Sequence, residues 1–210
     1  MNIELTSITR SFGPSKAVDR VSLQAGAGVL GLLGPNGAGK TSLLRMLATV
    51  LPPSSGEIRL LGRDPGSTAQ RREIRRRLGY LPQNLGYYPA FTVVEYIEYF
   101  ALLKEVPLLL LDEPTAGLDP EQRVGFRALL RDLGQAASVV VSTHLVEDVG
   151  AACSQVALMD AGRIVFGGTP EALAGRGTSD DVGDSQLERG YSAVLQASRS
   201  ASLTNGGVAA

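Results

Sequence analysis

Residues 34–41 read GPNGAGKT and match the phosphate-binding pattern G-x-x-x-x-G-K-[ST]. The apolar run at 28–33 (GVLGLL) comes directly before this stretch, and the helix-compatible run at 42–50 (SLLRMLATV) follows it. A strand, a glycine-rich loop and a helix in this order allow backbone N–H groups to surround a phosphate. The alternative is a glycine turn that contains a lysine by chance, but such a turn would not need these flanks. The sequence therefore predicts a nucleotide-binding P-loop.

The residue types in this P-loop suit a nucleotide phosphate. The glycines leave room for backbone N–H groups to turn toward an anion, and the N-terminus of the following helix adds partial positive charge. Lys40 can reach the outer phosphates, and the hydroxyl of Thr41 can ligate Mg²⁺. The predicted nucleotide contacts in this stretch are Gly34, Pro35, Asn36, Gly37, Ala38, Gly39, Lys40, Thr41 and Ser42.

A second signal is the apolar run at 108–111, which is followed by the adjacent carboxylates Asp112 and Glu113. A continuous apolar run of this length is typical of a buried parallel strand. Two carboxylates at its end are costly to bury unless they hold a cation or a proton. Taken alone, they could be two solvated acids. With a P-loop upstream, we predict that Asp112 holds Mg²⁺ through water and that Glu113 activates a water for attack on the γ-phosphate.

Two more polar residues follow predicted strands. Gln83 comes after the strand at 78–81, and His144, the only histidine, comes after the strand at 138–142. Open α/β sheets bind ligands at the carboxyl ends of their strands, so both are expected near the P-loop, with His144 at the γ-phosphate. Phe12 lies between the first two predicted strands. It is either an ordinary turn aromatic or a surface on which adenine stacks, and the pattern leaves both open.

Composition excludes several classes of protein. The net charge of −1 gives no bulk attraction to nucleic acid, so no nucleic-acid partner is expected. The helix predicted at 68–77 has five arginines but no interleaved aromatic residue, which favours a solvated face. No apolar run is longer than five residues, which is far too short to span a bilayer, and the N-terminus lacks the pattern of a secretion signal. A single cysteine, Cys153, fits a reducing cytoplasm.

Five motifs occur in one order: the P-loop, Gln83 after a strand, LLLLDEP at 108–114, AGLDP at 116–120 and STH at 142–144. In this order, residues 1–174 resemble the ATP-binding subunit of an ABC transporter, with its Walker A and Walker B motifs. The resemblance implies an α/β P-loop NTPase core. Its mostly parallel sheet is flanked by helices, and a small antiparallel β-subdomain lies at the N-terminus. The stretch around the P-loop is similar to ATPase subunits of bacterial drug-export and lipid- or polysaccharide-export systems.

The resemblance also implies roles for individual residues. Phe12 would stack on adenine, while Thr41 and Gln83 would serve Mg²⁺ and the attacking water. Asp112 would be the carboxylate on the Mg²⁺ side, and Glu113 would be the catalytic base. ATP and Mg²⁺ are thus the implied cofactors.

Two protein partners are implied by the same resemblance. Asp119 would lie in the loop that faces a second ATPase subunit, and His144 would be the switch histidine. The region from Gln83 to Phe91 would contact the coupling helix of a membrane permease. The chain would then be cytoplasmic and peripheral on the inner face of the cell membrane.

One family element is absent from the sequence. ABC ATPases have a signature resembling LSGGQ on a helical subdomain between the Gln83 and Asp112 motifs, and this sequence has none. Lys40 and Asp112 are only 72 positions apart (112 − 40), which is about 50 residues too few for three helices and their loops. We therefore predict that the helical subdomain is largely absent. The chain would be shortened between about residues 104 and 107, and a helix at 92–104 would form the crossover.

In this family, each ATP lies between the P-loop of one subunit and the signature of the other. Without a signature, we expect ATP binding to be partly retained, hydrolysis to be very slow and dimerisation to be weakened. Three functions stay open: a transporter ATPase subunit, a nucleotide-binding module without useful turnover, and a soluble ABC-type ATPase acting on ribosomes or DNA. The second could be a truncated product or a heterodimer partner. Near-neutral charge and the lack of a long basic or coiled-coil insertion argue against the third.

The composition changes from residue 175 onward, where Gly, Ser, Ala and Asp dominate. Such a composition offers little apolar surface for a core. We therefore predict a mostly disordered tail at 175–210, with a weak helix at 186–196.

Overall fold

The computed structural model describes residues 1–83, 106–116 and 118–206. Gly117 and the helix predicted at 92–104 lie outside the described residues. Of the permease contact predicted from Gln83 to Phe91, only Gln83 is described. The described elements, in chain order, are β1 (Ile3–Phe12), β2 (Ser15–Ala25), β3 (Gly28–Leu33), α1 (Lys40–Leu47), β4 (Ser55–Leu60), α2 (Thr68–Arg76), β5 (Leu78–Leu81), β6 (Leu108–Asp112), α3 (Pro120–Ala136), β7 (Ser138–Thr143), α4 (Val146–Ala152), β8 (Gln155–Asp160), β9 (Arg163–Gly168), α5 (Pro170–Ala174) and α6 (Gln186–Gly206).

The larger sheet has six strands in the order β5-β6-β7-β3-β8-β9. All neighbours in it are parallel except β8 and β9, which form an antiparallel hairpin. β6 and β7 are buried along their whole length, and β3 is buried except at its first residue. This burial explains why these three strands read as continuous apolar runs. Because β3, β5, β6 and β7 are parallel, their carboxyl ends lie at one edge of the sheet.

A second, antiparallel sheet contains three strands in the order β2-β1-β4. The apolar side chains of Ile3, Leu5 and Ile8 are buried in the core beside α1, while much of the other face is exposed. Gly13 adopts a φ of 59° in the turn between β1 and β2, where glycine is favoured. The predicted fold class, a P-loop core with a mostly parallel sheet and a small antiparallel β-subdomain, is confirmed.

A capping box begins α3. The Asp119 carboxylate accepts a hydrogen bond from the Gln122 backbone N–H at 2.8 Å, and the Gln122 side-chain oxygen accepts one from the Asp119 N–H at 3.3 Å. Pro120 follows at the first helical position, where its missing N–H costs nothing. Asp119 therefore has a structural role in this chain, whatever it contacts on a partner.

The C-terminal segment differs from the prediction. The helix α6 has 21 residues and packs on α4, α5, β8 and β9. Its side chains Leu187, Tyr191, Val194 and Leu195 join the cluster around Leu173. The helix predicted at 186–196 is present, but it continues to Gly206, so the expectation of disorder is wrong for residues 197–206. The average composition hid an apolar stripe with the spacing of a helix face.

Among the residues that the structure describes, no helix is long and apolar enough to cross a membrane.

Candidate nucleotide site

The P-loop connects β3 to α1 by a backbone path that requires glycine at two positions. Gly39 precedes α1 with a φ of 100°, and a Cβ there would collide with the carbonyl oxygen of Ala17. Gly34 has a φ of 154°, and a Cβ there would collide with the carbonyl oxygen of Met159. Any other residue at either position would push the loop away from its neighbours. A tight loop that leads into a helix in this way leaves the first N–H groups of the helix free to bind a phosphate.

Lys40 is almost completely buried, with 5% of its surface exposed. Its ammonium group donates hydrogen bonds to the carbonyl oxygens of Gly34 at 2.6 Å and Pro35 at 3.2 Å. The same group lies 3.3 Å from Oε1 of Glu113. A buried cation needs such partners, and here they hold the charge between the loop and the carboxyl end of β6.

Asp112 ends β6 with 1% of its surface exposed. Its Oδ1 accepts hydrogen bonds from the hydroxyls of Ser142 at 2.6 Å and Thr41 at 3.2 Å. Its Oδ2 is buried and has no hydrogen-bond partner in the described part of the chain. A buried, unpaired carboxylate oxygen is costly unless a cation or a water binds it. Since Mg²⁺ prefers oxygen ligands, Thr41 and Asp112 fit a magnesium site.

The negative charge of Asp112 also affects Tyr80 on the neighbouring strand β5. Burial of the Tyr80 phenol raises its pKa, and the charge of Asp112 raises this pKa further. Tyr80 is therefore neutral at physiological pH and adds no second negative charge beside Thr41 and Asp112.

Glu113 lies between two basic side chains. Its Oε2 is 2.6 Å from Nδ1 of His144, and its Oε1 faces the Lys40 ammonium. Its backbone has a φ of 51°, which is unusual for a residue other than glycine. The Glu113 N–H donates to both the carbonyl oxygen and the hydroxyl of Ser142, at 3.2 Å and 2.9 Å. A strained backbone conformation that several surrounding contacts hold in place is common at functional sites.

The P-loop borders an open pocket of about 340 Å³. Its lining brings Gln83 of the β5 end together with Glu113 of the β6 end, as the strand order predicted. The residues lining this pocket are Ala17, Pro35, Asn36, Gly37, Ala38, Gly39, Lys40, Thr41, Ser42, Gln83 and Glu113.

Phe12 is not among the lining residues. It is half exposed at the end of β1, and the guanidinium of Arg10 lies 4.7 Å from the centre of its ring. The structure thus brings together all the predicted site residues except Phe12. Phe12 offers an aromatic face, but in this structure that face contacts a cation.

Comparison with known proteins identifies the family. A family model described as "ABC transporter" matches residues 18–98. The Nod factor export ATP-binding protein I of Paraburkholderia xenovorans (strain LB400) is 31% identical over 229 residues, which cover 86% of this chain and 75% of that protein. This chain belongs to the ABC transporter ATP-binding proteins. The dimeric structure of a post-hydrolysis ATP-binding cassette with ADP and Pi has a TM-score of 0.68 with this ABC ATPase. It is 19% identical and covers 80% of this chain and 98% of that chain, which shows the shared fold.

Another relative is the "Probable multidrug ABC transporter ATP-binding protein YbhF" of Escherichia coli (strain K12), with 26% identity over 238 residues. The match covers 90% of this ABC ATPase but only 41% of YbhF, so this chain spans less than half of that protein. The alignment is longer than the part of this chain within it, because 90% of 210 residues is about 189. About 49 positions of the alignment (238 − 189) are therefore gaps in this chain.

Sequence reasoning did not single out Ser142 as a site residue. Its hydroxyl donates to Asp112 and accepts from the Glu113 N–H, so one buried side chain positions both acidic residues. The signal was present, because Ser142 follows the three valines of a predicted buried strand whose end was expected near the two carboxylates. A buried hydroxyl at that point needs polar partners.

A second unpredicted group ties the loop after Glu113 to two helices. The Thr115 hydroxyl donates to Oδ2 of Asp148 at 2.9 Å. The Arg127 guanidinium donates to the other oxygen, Oδ1, at 2.9 Å and 2.7 Å. Asp148 is 6% exposed and lies in α4, which follows His144, while Arg127 lies in α3. This buried group joins the elements that hold Glu113 and His144.

Proposed function

We propose that this chain is an ATP-binding subunit that energises an ABC membrane transporter of the exporter type, and that it hydrolyses ATP very slowly. The observation that carries the proposal is the cluster of Lys40, Asp112 and Glu113 around the P-loop, in a sequence that contains no LSGGQ-like signature.

Each part of this cluster has a task with ATP. Lys40 and the P-loop N–H groups bind the phosphates, and Thr41 and Asp112 hold Mg²⁺, with Gln83 at the edge of the pocket. Mg²⁺ supplies positive charge against the phosphate oxygens during phosphoryl transfer. Glu113 orients the attacking water and accepts its proton at a carboxylate oxygen. His144 holds that carboxylate through Oε2, and we expect it to contact the γ-phosphate when ATP is bound.

Slow hydrolysis follows from the missing signature. In the family, that element brings a helix N-terminus and backbone donors from the partner subunit to the γ-phosphate. Loss of one preorganised donor costs about 10²–10³ in rate. Two observations support the internal shortening. Only residues 82–107 connect β5 to β6, and about 49 positions of the YbhF alignment lack a counterpart.

The assignment to an exporter rests on relatives. Their printed names refer to Nod factor export and to multidrug transport. A permease would then supply the membrane-spanning part, contacting the region from Gln83 to Phe91. This places the chain in the cytoplasm, on the inner face of the cell membrane.

The second candidate function is a nucleotide-binding module without useful turnover. The short connection at 82–107 favours it, because a chain that lacks a signature cannot complete the ATP site of a partner. In a heterodimer, the signature of the other chain could still complete the P-loop site of this one.

ATP binding is tested by titrating the purified chain with ATP and Mg²⁺ in a calorimeter. We expect Lys40→Ala to weaken ATP binding about tenfold or more, because a charge-assisted contact with phosphate is lost. Glu113→Gln is the control and should retain binding. If the unaltered chain does not bind ATP, the proposed function is wrong.

Turnover is tested by restoring the missing segment. The helical segment of the P. xenovorans relative, with its signature, is inserted between residues 104 and 107. We expect the rate of ATP hydrolysis to rise about 100-fold or more, and the same insert with its signature glycines replaced by valine is the matched control. The proposal fails if the unaltered chain already turns over as fast as the chimera and Glu113→Gln abolishes that activity.

A further inference from the structure

The turn between β8 and β9 lies directly against the P-loop. The Gly162 N–H donates a hydrogen bond to the carbonyl oxygen of Ala38 at 3.0 Å. The Gly162 carbonyl oxygen accepts a hydrogen bond from the Asp19 N–H at 2.8 Å. Gly162 has a φ of 80°, and a Cβ there would lie 3.0 Å from the carbonyl oxygen of Ala17. One turn residue therefore bridges the P-loop and the strand β2.

Arg163 fastens the same turn to the same strand through its side chain. Its Nε and a terminal nitrogen both donate to Oδ2 of Asp19, at 2.8 Å and 2.6 Å. Asp19 is 5% exposed, and its other oxygen faces Lys16 at 3.2 Å and Arg20 at 3.5 Å. The hydrogen bonds from Arg163 lower the pKa of Asp19 and burial opposes them, so this carboxylate is charged at neutral pH.

The strand that Arg163 holds forms one wall of the nucleotide pocket. Ala17 lines the pocket, and its carbonyl oxygen lies so close to Gly39 that no side chain fits there. The P-loop is thus supported at two adjacent residues, by the turn at Ala38 and by β2 at Gly39. The ion pair between Arg163 and Asp19 locks these two supports together.

The other end of the turn is attached to the C-terminal helix. Asp160 accepts a hydrogen bond from the Ser198 hydroxyl at 3.2 Å, and its Oδ2 lies 3.8 Å from Nε of Arg199. The helix α6 therefore also supports the turn. The bidentate contact of Arg163 with buried Asp19 is the shorter and more enclosed of the two attachments.

We propose that Arg163 is a positioning residue for nucleotide binding, which keeps the P-loop in its phosphate-binding form by locking the β8–β9 turn to Asp19 of β2. The part that concerns ATP rests on the proposed function. Arg163 does not line the P-loop pocket, so it acts through Gly162, Ala38 and Ala17. Its loss would change no residue that lines the pocket but would let the backbone of the P-loop move.

The test uses the full chain with Arg163→Gln and, as matched control, Arg20→Gln. Arg20 also faces Asp19 but does not connect it to the turn. Hydrogen exchange of the peptide spanning residues 34–41 is measured without nucleotide, and ATP affinity is measured with Mg²⁺. For Arg163→Gln we expect exchange at 34–41 about fivefold faster and ATP binding weaker by about threefold to tenfold. Arg20→Gln should leave both within about twofold.

Two outcomes overturn the proposal. The first is a folded Arg163→Gln chain with P-loop exchange equal to that of the unaltered chain. The second is a loss of protection spread equally over β3 and β7, which indicates a general loss of stability. If Arg163→Gln does not fold, Arg163→Lys replaces it. The lysine keeps the positive charge but cannot donate the two hydrogen bonds of the guanidinium to Asp19, and the same exchange criterion applies. If the unaltered chain does not bind ATP, the proposed function fails while the exchange result still decides the role of Arg163.

Discussion

Two sets of hydrogen bonds hold the backbone of Glu113 in the left-handed region of φ/ψ space. Ser142 accepts two hydrogen bonds from its N–H, and Thr115, two residues later, is attached to Asp148. A strained residue keeps its conformation only when its surroundings leave no alternative. The direction of the Glu113 carboxylate therefore depends on residues that do not touch the nucleotide.

Replacing Ser142 with alanine tests this dependence. Ser142→Ala removes a donor to Asp112 and an acceptor for Glu113, so we expect the free energy of unfolding to fall by about 1–3 kcal/mol. We also expect a weaker effect of Mg²⁺ on ATP binding, because the Asp112 carboxylate is no longer fixed. Chemical denaturation and calorimetry at several Mg²⁺ concentrations measure the two effects.

Ser138→Ala is the matched control for this prediction. Ser138 is also buried and begins the same strand, where it bonds to Gly26 far from the P-loop. It should cost stability without changing the dependence on Mg²⁺. Equal Mg²⁺ dependence in the two variants would contradict a positioning role for Ser142.

The single thiol gives a second prediction for one residue. Burial raises the pKa of Cys153 to about 12, and the charge of Asp148 contributes to the shift. Since the thiolate is the reactive form, only about one thiol in 10⁴ is ionised at pH 8. We expect alkylation of the folded chain by iodoacetamide at pH 8 to be about 10³-fold slower than alkylation of the chain unfolded in urea.

Mass spectrometry of timed samples measures both rates of alkylation. Folded and unfolded rates within tenfold of each other would mean that Cys153 is accessible and ionises normally.

The bounds of helices and strands agreed with the sequence-based predictions where a local pattern determines the element. The bounds of β5 were predicted correctly, and β7 extends to Thr143, one residue beyond its prediction. The C-terminal helix was predicted only as a weak helix at 186–196, because its full length depends on packing against distant segments. Gly190 of α6, for example, lies so close to the carbonyl oxygen of Leu173 that no side chain would fit. Average composition carries no information about such contacts.

The packing of α6 leads to a prediction for this element. Leu195 is 6% exposed in the cluster around Leu173, so we expect Leu195→Ala to lower the free energy of unfolding by about 2–4 kcal/mol. Gln196 is exposed on the same helix, and Gln196→Ala should change stability by less than about 0.5 kcal/mol. Urea denaturation followed by circular dichroism compares them, and equal midpoints would mean that α6 does not pack in solution.

In the molecule as a whole, the candidate site joins the ends of separate strands. Motif spacing was enough to predict that five side chains lie close together, because parallel strands bring their carboxyl ends to one edge of the sheet. These are Lys40, Gln83, Asp112, Glu113 and His144. The supporting contacts were not predictable in the same way. Asp19 and Arg163 are 144 residues apart along the chain, and no local pattern indicates that they meet. Only the way the sheets pack brings them together.

Dimerisation is the prediction that concerns the whole molecule. With ATP and Mg²⁺ present, we expect Glu113→Gln to remain monomeric, because the chain has no signature to close over the ATP of a second copy. The chimera with the restored segment, carrying the same substitution, should dimerise. Analytical ultracentrifugation compares the two, and an ATP-dependent dimer of Glu113→Gln without the insert would refute the expectation.

The strand order has a consequence for how such a chain can arise. Among the strands that the structure describes, β5 is the outermost of the six-stranded sheet and pairs only with β6. The chain leaves the sheet at the end of β5 and returns in the adjacent strand β6. An insertion or a deletion in this connection therefore begins and ends at the edge of the sheet. A whole module can then be gained or lost in evolution without cutting through the interior strands. Protein engineers could use the same margin as a site for inserting or exchanging domains.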